Sequence, residues 1–132
     1  GEFIAEQYTL LAPHLVSRRS TEKVTYHLPC HLRNHGRGRG NIETLLEKLP
    51  HLDYRRTPDR DACCGGGGFF FNEYPDISKR MVDGKIKNAI RSGARFWVTG
   101  CPGCRVQLSG HQARKAMLDV CHPVEVIARG LK

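Results

Sequence analysis

The spacing of hydrophobic residues alternates along this chain between the period of an α-helix and that of a β-strand. Helical spacing predicts helices over residues 3–15, 41–49 and 75–92, one that opens at 101, and one over 123–131. Runs of β-branched and aromatic residues predict strands over 23–28, 52–56, 94–99 and 117–120. Strands and helices therefore follow each other in turn, which favours a parallel sheet covered by helices.

Each predicted helix has an apolar face that should pack on the sheet. We assign these faces, in chain order, to Ile4, Tyr8, Leu10, Leu11 and Leu15; Ile42, Leu45, Leu46 and Leu49; Ile77, Met81, Ile86 and Ile90; Val106, Ala113 and Met117; and Val124, Ile127 and Leu131. Asn41 is expected to cap its helix, with Pro50 closing it, and Pro75 and Gly93 delimit the longest one.

The fold class predicted from this order is α/β, a small Rossmann-like parallel sheet flanked by helices. Cys30 follows the first predicted strand, and Cys101 follows the third. Because ligands in open α/β sheets bind beyond the carboxyl ends of the strands, these cysteines should converge at that edge.

Five of the six cysteines form three groups: Cys30, the pair Cys63-Cys64, and Cys101-Pro102-Gly103-Cys104. Adjacent cysteines are poor disulfide partners because the bond strains the peptide between them. The grouping is therefore typical of a metal or iron–sulfur site, and it favours a reducing, cytoplasmic setting over a secreted disulfide scaffold. Cys121 lies outside the groups, and we expect it to be a small buried core residue.

The loops beside the cysteines have a distinctive composition. Gly65, Gly66, Gly67 and Gly68 would let backbone N–H groups approach whatever the sulfur atoms hold. Phe69-Phe70-Phe71 follows, and we expect mainly core packing, with some rings forming a dry wall around the site.

Residues 31–40 are predicted to form a flexible basic loop over the site. The glycines at 36, 38 and 40 fit a dinucleotide-binding turn poorly, because the last of them comes too early. His31 and His35 are candidate proton donors to a thiolate, although ordinary hydrogen bonding in the loop is the expectation we favour.

The chain has 132 residues and a formal net charge of +8. This length suits one domain with a modest core, and no apolar run is long enough for a membrane span.

We expect the basic surface to dock on an acidic partner subunit, and we expect no nucleic-acid binding, because no recognition motif accompanies the charge. No signal peptide is evident, and the start at Gly1-Glu2-Phe3 suggests a domain excised from a longer subunit.

The order Cys30, Cys63-Cys64-Gly65, Cys101-Pro102-Gly103-Cys104, with His27-Leu28-Pro29-Cys30-His31-Leu32 at its start, resembles the cysteine-rich CCG domain. This domain occurs in heterodisulfide reductase subunits B and D. It is also found in the iron–sulfur subunits of glycolate oxidase, of lactate-utilisation systems and of anaerobic glycerol-3-phosphate dehydrogenase. Members usually contain two such motifs, often behind a ferredoxin-like segment, and this chain contains one motif.

The resemblance implies a [4Fe–4S] cluster of the non-cubane type, bound by Cys30, Cys63, Cys64, Cys101 and Cys104. It implies electron transfer or disulfide reduction inside a larger oxidoreductase, with flavoprotein or ferredoxin-like subunits and a second CCG domain as partners. The isolated domain is then expected to be inactive alone, and the complex could be peripheral to a membrane.

The alternative is a zinc-binding structural or interaction domain, in which Cys63 or Cys64 with the other three cysteines forms a Cys₄ site. We assign residues 1–22 to an N-terminal helix and linker and 23–132 to the CCG domain.

Overall fold

We describe a computed structural model of the chain, which defines residues 2–16, 21–35, 41–112 and 118–131. Its strands are β1 (Glu22–Tyr26), β2 (Leu52–Tyr54), β3 (Phe96–Val98) and β4 (Asp119–Cys121). Its α-helices are α1 (Glu2–Glu6), α2 (Tyr8–Leu11), α3 (Cys30–Asn34), α4 (Asn41–Lys48), α5 (Phe70–Glu73), α6 (Pro75–Arg91), α7 (Pro102–Gln112) and α8 (Pro123–Ala128). No helix in the described ranges is long and apolar enough to cross a membrane.

The four strands form one parallel sheet in the order β2-β1-β3-β4, which confirms the predicted α/β class. The two central strands pair directly, with Val24 opposite Phe96 and Tyr26 opposite Val98. Their carboxyl ends therefore lie side by side, and the segments that follow them start from the same edge of the sheet.

Side chains on the two faces of the sheet form separate cores, because successive residues of a strand point to opposite sides. Phe96 and Val98 pack in one core with α4 and α8. Trp97 packs in the other, with α6 and α7. The second core also contains Cys64 and Cys104, so it is continuous with the cysteine-rich edge.

The predicted N-terminal helix is wrong as one element. It is interrupted at Gln7, and a short 3₁₀ turn, Ala12–His14, follows α2. Helices this short have little intrinsic stability, so their shape follows the surface on which they pack. Ile4 and Tyr8 pack against the first core as expected, but Leu10 is 69% exposed and not part of the apolar face.

The assigned faces of the later helices need correction. On α6 the buried side is Ser78, Val82, Lys85, Ile86 and Ala89, whereas Ile77 and Ile90 are half exposed. Two of these buried residues, Ser78 and Lys85, are polar, so a pattern of apolar residues does not reveal this side.

Corrections of the same kind apply near the C-terminus. On α7, Leu108 is buried and Val106 is 75% exposed, while Ala113 and Met117 lie outside the described residues. On α8, Ile127 is buried, whereas Val124 is 44% exposed, and Leu131 lies beyond the end of this helix and is 41% exposed.

Several predicted boundaries also move. Cys121 is the last residue of β4 and does not follow it. Cys30 begins the short helix α3, so residues 31–34 are not loop, and residues 36–40, with their glycines, lie outside the described part of the chain. Asn41 is the first residue of α4 and not its cap.

A buried carboxylate connects α4 to the segment after β2. Glu43 accepts hydrogen bonds from the Tyr54 hydroxyl at 2.7 Å, from Arg56 Nε at 2.8 Å and from Arg60 Nε at 3.0 Å. Burial alone would raise the pKa of Glu43, but these donors and the two arginine charges outweigh it and lower the pKa. The network fixes the start of the segment that leads to Cys63 and Cys64.

Because the pKa of Glu43 is lower in the folded protein, its carboxylate stabilises the fold above the unfolded pKa of about 4.3, and this is lost as the pH falls through the folded value. We expect Glu43→Gln to reduce the free energy of unfolding by about 1–3 kcal/mol at pH 7. The difference from the wild type should shrink towards pH 3. Urea unfolding at several pH values measures it, with exposed Glu47→Gln on the same helix as the control. A difference that does not change with pH would contradict this assignment.

Candidate metal centre

The three cysteine groups meet at the carboxyl edge of the sheet. Cys30 begins α3 just beyond β1, and Cys101 directly precedes α7 beyond β3. Cys104 lies in the first turn of α7, and Cys63-Cys64 reaches the same edge on the loop between β2 and α5. The predicted convergence follows from the direct pairing of the two central strands.

All five motif cysteines line one cavity of about 200 Å³. The remaining lining residues come from the same segments and are His27, His31, Gly66, Gly67, Gly68 and Gly103. Cys121 is buried in the first core and does not line this cavity. Burial raises the pKa of its thiol to about 12, which suits an inert core residue.

The sulfur atoms lie at two depths in this cavity. Cys64 and Cys104 are 3% and 8% exposed, respectively, and form the floor. Cys30, Cys63 and Cys101 are only partly buried and lie nearer the mouth. All six cysteines are free thiols, so the group is open to metal binding.

His27 joins the floor of the cavity, although the sequence analysis gave it no role. Its side chain is 1% exposed. One of its ring nitrogens and the sulfur atoms of Cys64 and Cys104 all lie within 4.8 Å of one another. Neither ring nitrogen makes a hydrogen bond of ordinary geometry to a described residue. Burial lowers the pKa of His27, with a smaller opposing effect from Cys64, so the ring is neutral at pH 7.

The thiols influence one another's ionisation. A hydrogen bond from the Cys104 thiol lowers the pKa of Cys64, and the same contact, together with burial, raises the pKa of Cys104. Burial raises the pKa of Cys63, against an opposing hydrogen bond from the backbone N–H of Gly65 at 3.3 Å from its sulfur. Cys64 is therefore the thiol of the buried pair that ionises first.

The glycine run fits closely against the helices at its first two positions. Gly65 has a φ of +80°, and a Cβ there would lie 3.1 Å from atoms of Ser78. A Cβ on Gly66 would lie 2.7 Å from the Cβ of Gln107. A Cβ on Gly67 or Gly68 would have no neighbour within 4 Å. Close packing therefore requires glycine only at the first two positions of the run.

Two side chains of helix α6 donate hydrogen bonds to the loop that contains the cysteine pair, one on each side of the pair. The Ser78 hydroxyl donates to the carbonyl of Gly65 at 2.8 Å, just after the pair. Before the pair, Lys85 Nζ donates to the carbonyl of Asp59 and lies 3.9 Å from its carboxylate. Burial lowers the pKa of Lys85, and the nearby Asp59 and Cys64 oppose this. A nearly buried cation therefore lies close to the floor of the cavity.

The phenylalanine run is more exposed than predicted. Phe69 is 76% exposed and Phe71 44%, so the expectation that these rings mainly fill the core is wrong. Phe70 stacks on Tyr74 at 5.4 Å between ring centroids, at the start of α6. The glycines turn the chain outwards here, which leaves an apolar surface next to the mouth of the cavity.

Of the two candidate proton donors, His31 lines the cavity, and His35 is exposed outside its lining.

The donor chemistry of this cavity fits an iron–sulfur or other thiophilic metal centre. Five thiols from three segments, a neutral imidazole and a glycine backbone surround one space, and the imidazole makes no hydrogen bond of ordinary geometry to a described residue. Thiolate donors select Fe–S clusters and zinc over hard cations such as Mg²⁺. Metal binding would also give a partner to one ring nitrogen of His27, which is buried without a hydrogen bond of ordinary geometry to a described residue.

Comparison with known proteins leads to the same assignment. The family model of the CCG cysteine-rich domain matches residues 24–109. Lactate utilization protein A of Halalkalibacterium halodurans is 35% identical over 107 residues, which cover 80% of this chain and 43% of that protein. Lactate utilization protein A 2 of Bacillus cereus is 35% identical over 114 residues, covering 83% of this chain and 46% of the relative.

The chain thus spans less than half the length of these curated relatives. The matched region nevertheless contains the second half of β1, the whole cysteine motif and most of α7. This chain belongs to the CCG family of cysteine-rich domains.

Proposed function

We propose that this domain holds a [4Fe–4S] cluster through Cys30, Cys63, Cys64, Cys101 and Cys104 and transfers electrons within a lactate-oxidising oxidoreductase. The observation that carries the proposal is the single cavity lined by all five cysteines. The similarity to lactate utilization protein A favours a 2-hydroxy acid as the source of electrons over the disulfide reduction of heterodisulfide reductase. Such a cluster, when bound, accepts and releases single electrons.

The surroundings of the cavity support an electron-transfer role. Cys64 and Cys104 lie in an apolar core, which lowers the local dielectric and, with hydrogen bonds to sulfur, influences the potential of a bound cluster. Cys30, Cys63 and Cys101 lie nearer to solvent, on the side from which a partner would approach. Exposed Phe69 adjoins that side and provides apolar contact area for another subunit.

The partners we propose are a flavoprotein or ferredoxin-like subunit and a second CCG domain. The net charge of +8 favours an acidic surface on at least one of them, and we propose a cytoplasmic location. The division into a linker at 1–22 and a domain at 23–132 stays a prediction, as does the inactivity of the isolated domain.

The alternative is a zinc-binding domain with a structural role in the same complex. The compactness of the cavity floor favours it, because the sulfur atoms of Cys64 and Cys104 are close enough to share one ion. Zinc needs only four ligands and supplies no redox chemistry, so one motif cysteine would stay uncoordinated.

Metal analysis of anaerobically purified protein distinguishes the two functions. We expect about four iron and four acid-labile sulfide per chain, since five soft ligands surround one cavity. Reduction with dithionite should bleach the visible absorption and produce an electron paramagnetic resonance signal. One zinc per chain without acid-labile sulfide would replace the electron-transfer function by the structural one.

A further inference from the structure

We propose that His27 is a metal ligand in this cavity, and that with Cys64 and Cys104 it forms a buried set that holds one divalent, thiophilic cation when the chain carries no cluster. The proposal rests on the presence of a metal centre in the cavity, and it adds a residue and a ligand type outside the cysteine motif. The ion class is that of Zn²⁺ and Co²⁺, which bind mixed nitrogen and sulfur donors in tetrahedral sites.

The distances among the three donor atoms fit a shared ion. They all lie within 4.8 Å of one another. Bonds of about 2.3 Å to sulfur and about 2.0 Å to nitrogen place tetrahedral ligand atoms roughly 3.5–4 Å apart. A contraction of at most about 1.3 Å in each of these distances therefore brings the three donor atoms around one ion.

The backbone already holds the imidazole in place. The N–H of His27 donates to the carbonyl of Val98 at 2.9 Å, which continues the pairing of β1 with β3 by one residue. The N–H of Leu28 donates to the carbonyl of Arg60 at 2.8 Å, on the segment that leads to the cysteine pair. A ligand on a fixed backbone loses little conformational freedom when it binds a metal.

A second buried histidine shows how an ordinary core histidine differs. His51 is also 1% exposed, but its Nε2 pairs with the carbonyl of Val126 at 2.9 Å, on the opposite face of the sheet. Neither nitrogen of His27 makes a hydrogen bond of ordinary geometry to a described residue, and the side chain that interacts with its ring is the thiol of Cys64. A buried polar group left without a partner destabilises the fold, and a bound ion would relieve this for one nitrogen. His27 therefore has the features of a ligand, and His51 has those of a core residue.

The cavity lies on the open side of the proposed set. Three protein ligands leave one position of a tetrahedral ion free. Cys30, Cys63 and Cys101 line the same cavity and are only partly buried. The inner set can therefore hold an ion without all five motif cysteines, which distinguishes it from the cluster ligand set.

Titration of the metal-free chain with Co²⁺ under anaerobic conditions tests the proposal. We expect one Co²⁺ per chain, with sulfur-to-cobalt charge transfer and d–d bands of tetrahedral type. His27→Gln should weaken Co²⁺ binding by more than about 100-fold and shift the d–d bands. Removal of a residue that only orients a metal ligand weakens binding by about 10–100-fold, and removal of a ligand itself should cost more. Trp97 fluorescence and circular dichroism check that each variant is folded.

Control variants at residues outside the proposed ligand set show whether a loss of Co²⁺ binding is specific to His27. His51→Gln, at an equally buried histidine, should leave affinity and spectrum unchanged, and Cys30→Ser should keep binding within about 10-fold. Equal affinity and spectrum for His27→Gln and the wild type would overturn the proposal, as would no Co²⁺ binding by the wild type. If Cys30→Ser lowers the affinity for Co²⁺ as much as Cys64→Ser does, then His27, Cys64 and Cys104 are not a self-sufficient ligand set. Iron and sulfide content is measured in a separate preparation, so failure of the cluster and failure of the His27 assignment give different results.

Discussion

Cys64→Ser is expected to abolish the metal centre, with iron content falling from about four per chain to nearly none. Cys64 is 3% exposed, lies on the floor of the cavity and has the more readily ionised thiol of the buried pair. A serine hydroxyl is a hard, weakly acidic substitute for thiolate. Anaerobic reconstitution followed by absorbance and electron paramagnetic resonance spectroscopy measures the loss.

Cys121→Ser is the matched control, because Cys121 is also buried but lies in the other core. It should keep the spectrum of the centre and lower the free energy of unfolding by about 1–3 kcal/mol, the cost of burying a hydroxyl. If Cys121→Ser loses the centre while Cys64→Ser keeps it, the ligand assignment is wrong. The vicinal pair Cys63-Cys64 would then be better interpreted as a redox-active dithiol.

Alanine substitutions along the glycine run should have very different effects at neighbouring positions. Gly65→Ala should lower the free energy of unfolding by about 1–3 kcal/mol because φ is +80° there. Gly66→Ala should lower it by a similar amount, about 1–3 kcal/mol, because the new Cβ would overlap the Cβ of Gln107, 2.7 Å away. Both changes should also displace the cysteine pair and weaken metal binding.

Gly67→Ala is the control for this series, since a Cβ there meets no atom within 4 Å. It should be neutral or stabilise the protein by up to about 1 kcal/mol, through a less flexible unfolded chain. Urea unfolding of the metal-free variants measures the differences. Equal effects at all three positions would mean that the run matters only for flexibility and not for its packing on Ser78 and Gln107.

The order of elements and the meeting point of the cysteines were predictable from the sequence. Runs such as Lys23–Leu28 and Ala94–Thr99 have strong β propensity, and the helices between them imply parallel pairing. Ligands placed just after two such strands must approach one edge, whatever the details of packing. The parallel sheet and the shared cavity follow from these two facts.

His27 was missed because it was assigned to the apolar strand that ends at Leu28. A histidine at the end of a buried strand, three residues before Cys30, is the signal that could have identified it. Its significance depends on Cys64 and Cys104, which approach it only through the tertiary fold. Local periodicity contains no information about such contacts.

The exposed phenylalanines and the buried side of α6 were mispredicted for a related reason. Composition suggests that Phe69 and Phe71 are core residues, but the preceding glycines turn the chain outwards and the four-residue helix α5 buries neither ring. On α6, Ser78 and Lys85 face inwards because backbone carbonyls of the cysteine loop need donors there. Polar partners of a particular loop decide these orientations, and hydrophobicity alone does not.

The pairing of β1 with β3 has a consequence for the life of the protein in the cell. The two strands that bring Cys30 and Cys101 together are far apart in the chain, and the residues between them must be synthesised first. Long-range parallel pairing is slow, because a large loop must close before its contacts form. A ribosome-bound chain that has released only Cys30 and the Cys63-Cys64 pair therefore lacks the full ligand set. Insertion of the proposed cluster must therefore wait until Cys101 and Cys104 have been synthesised, and the reduced thiols need protection from oxidants until the sheet has closed.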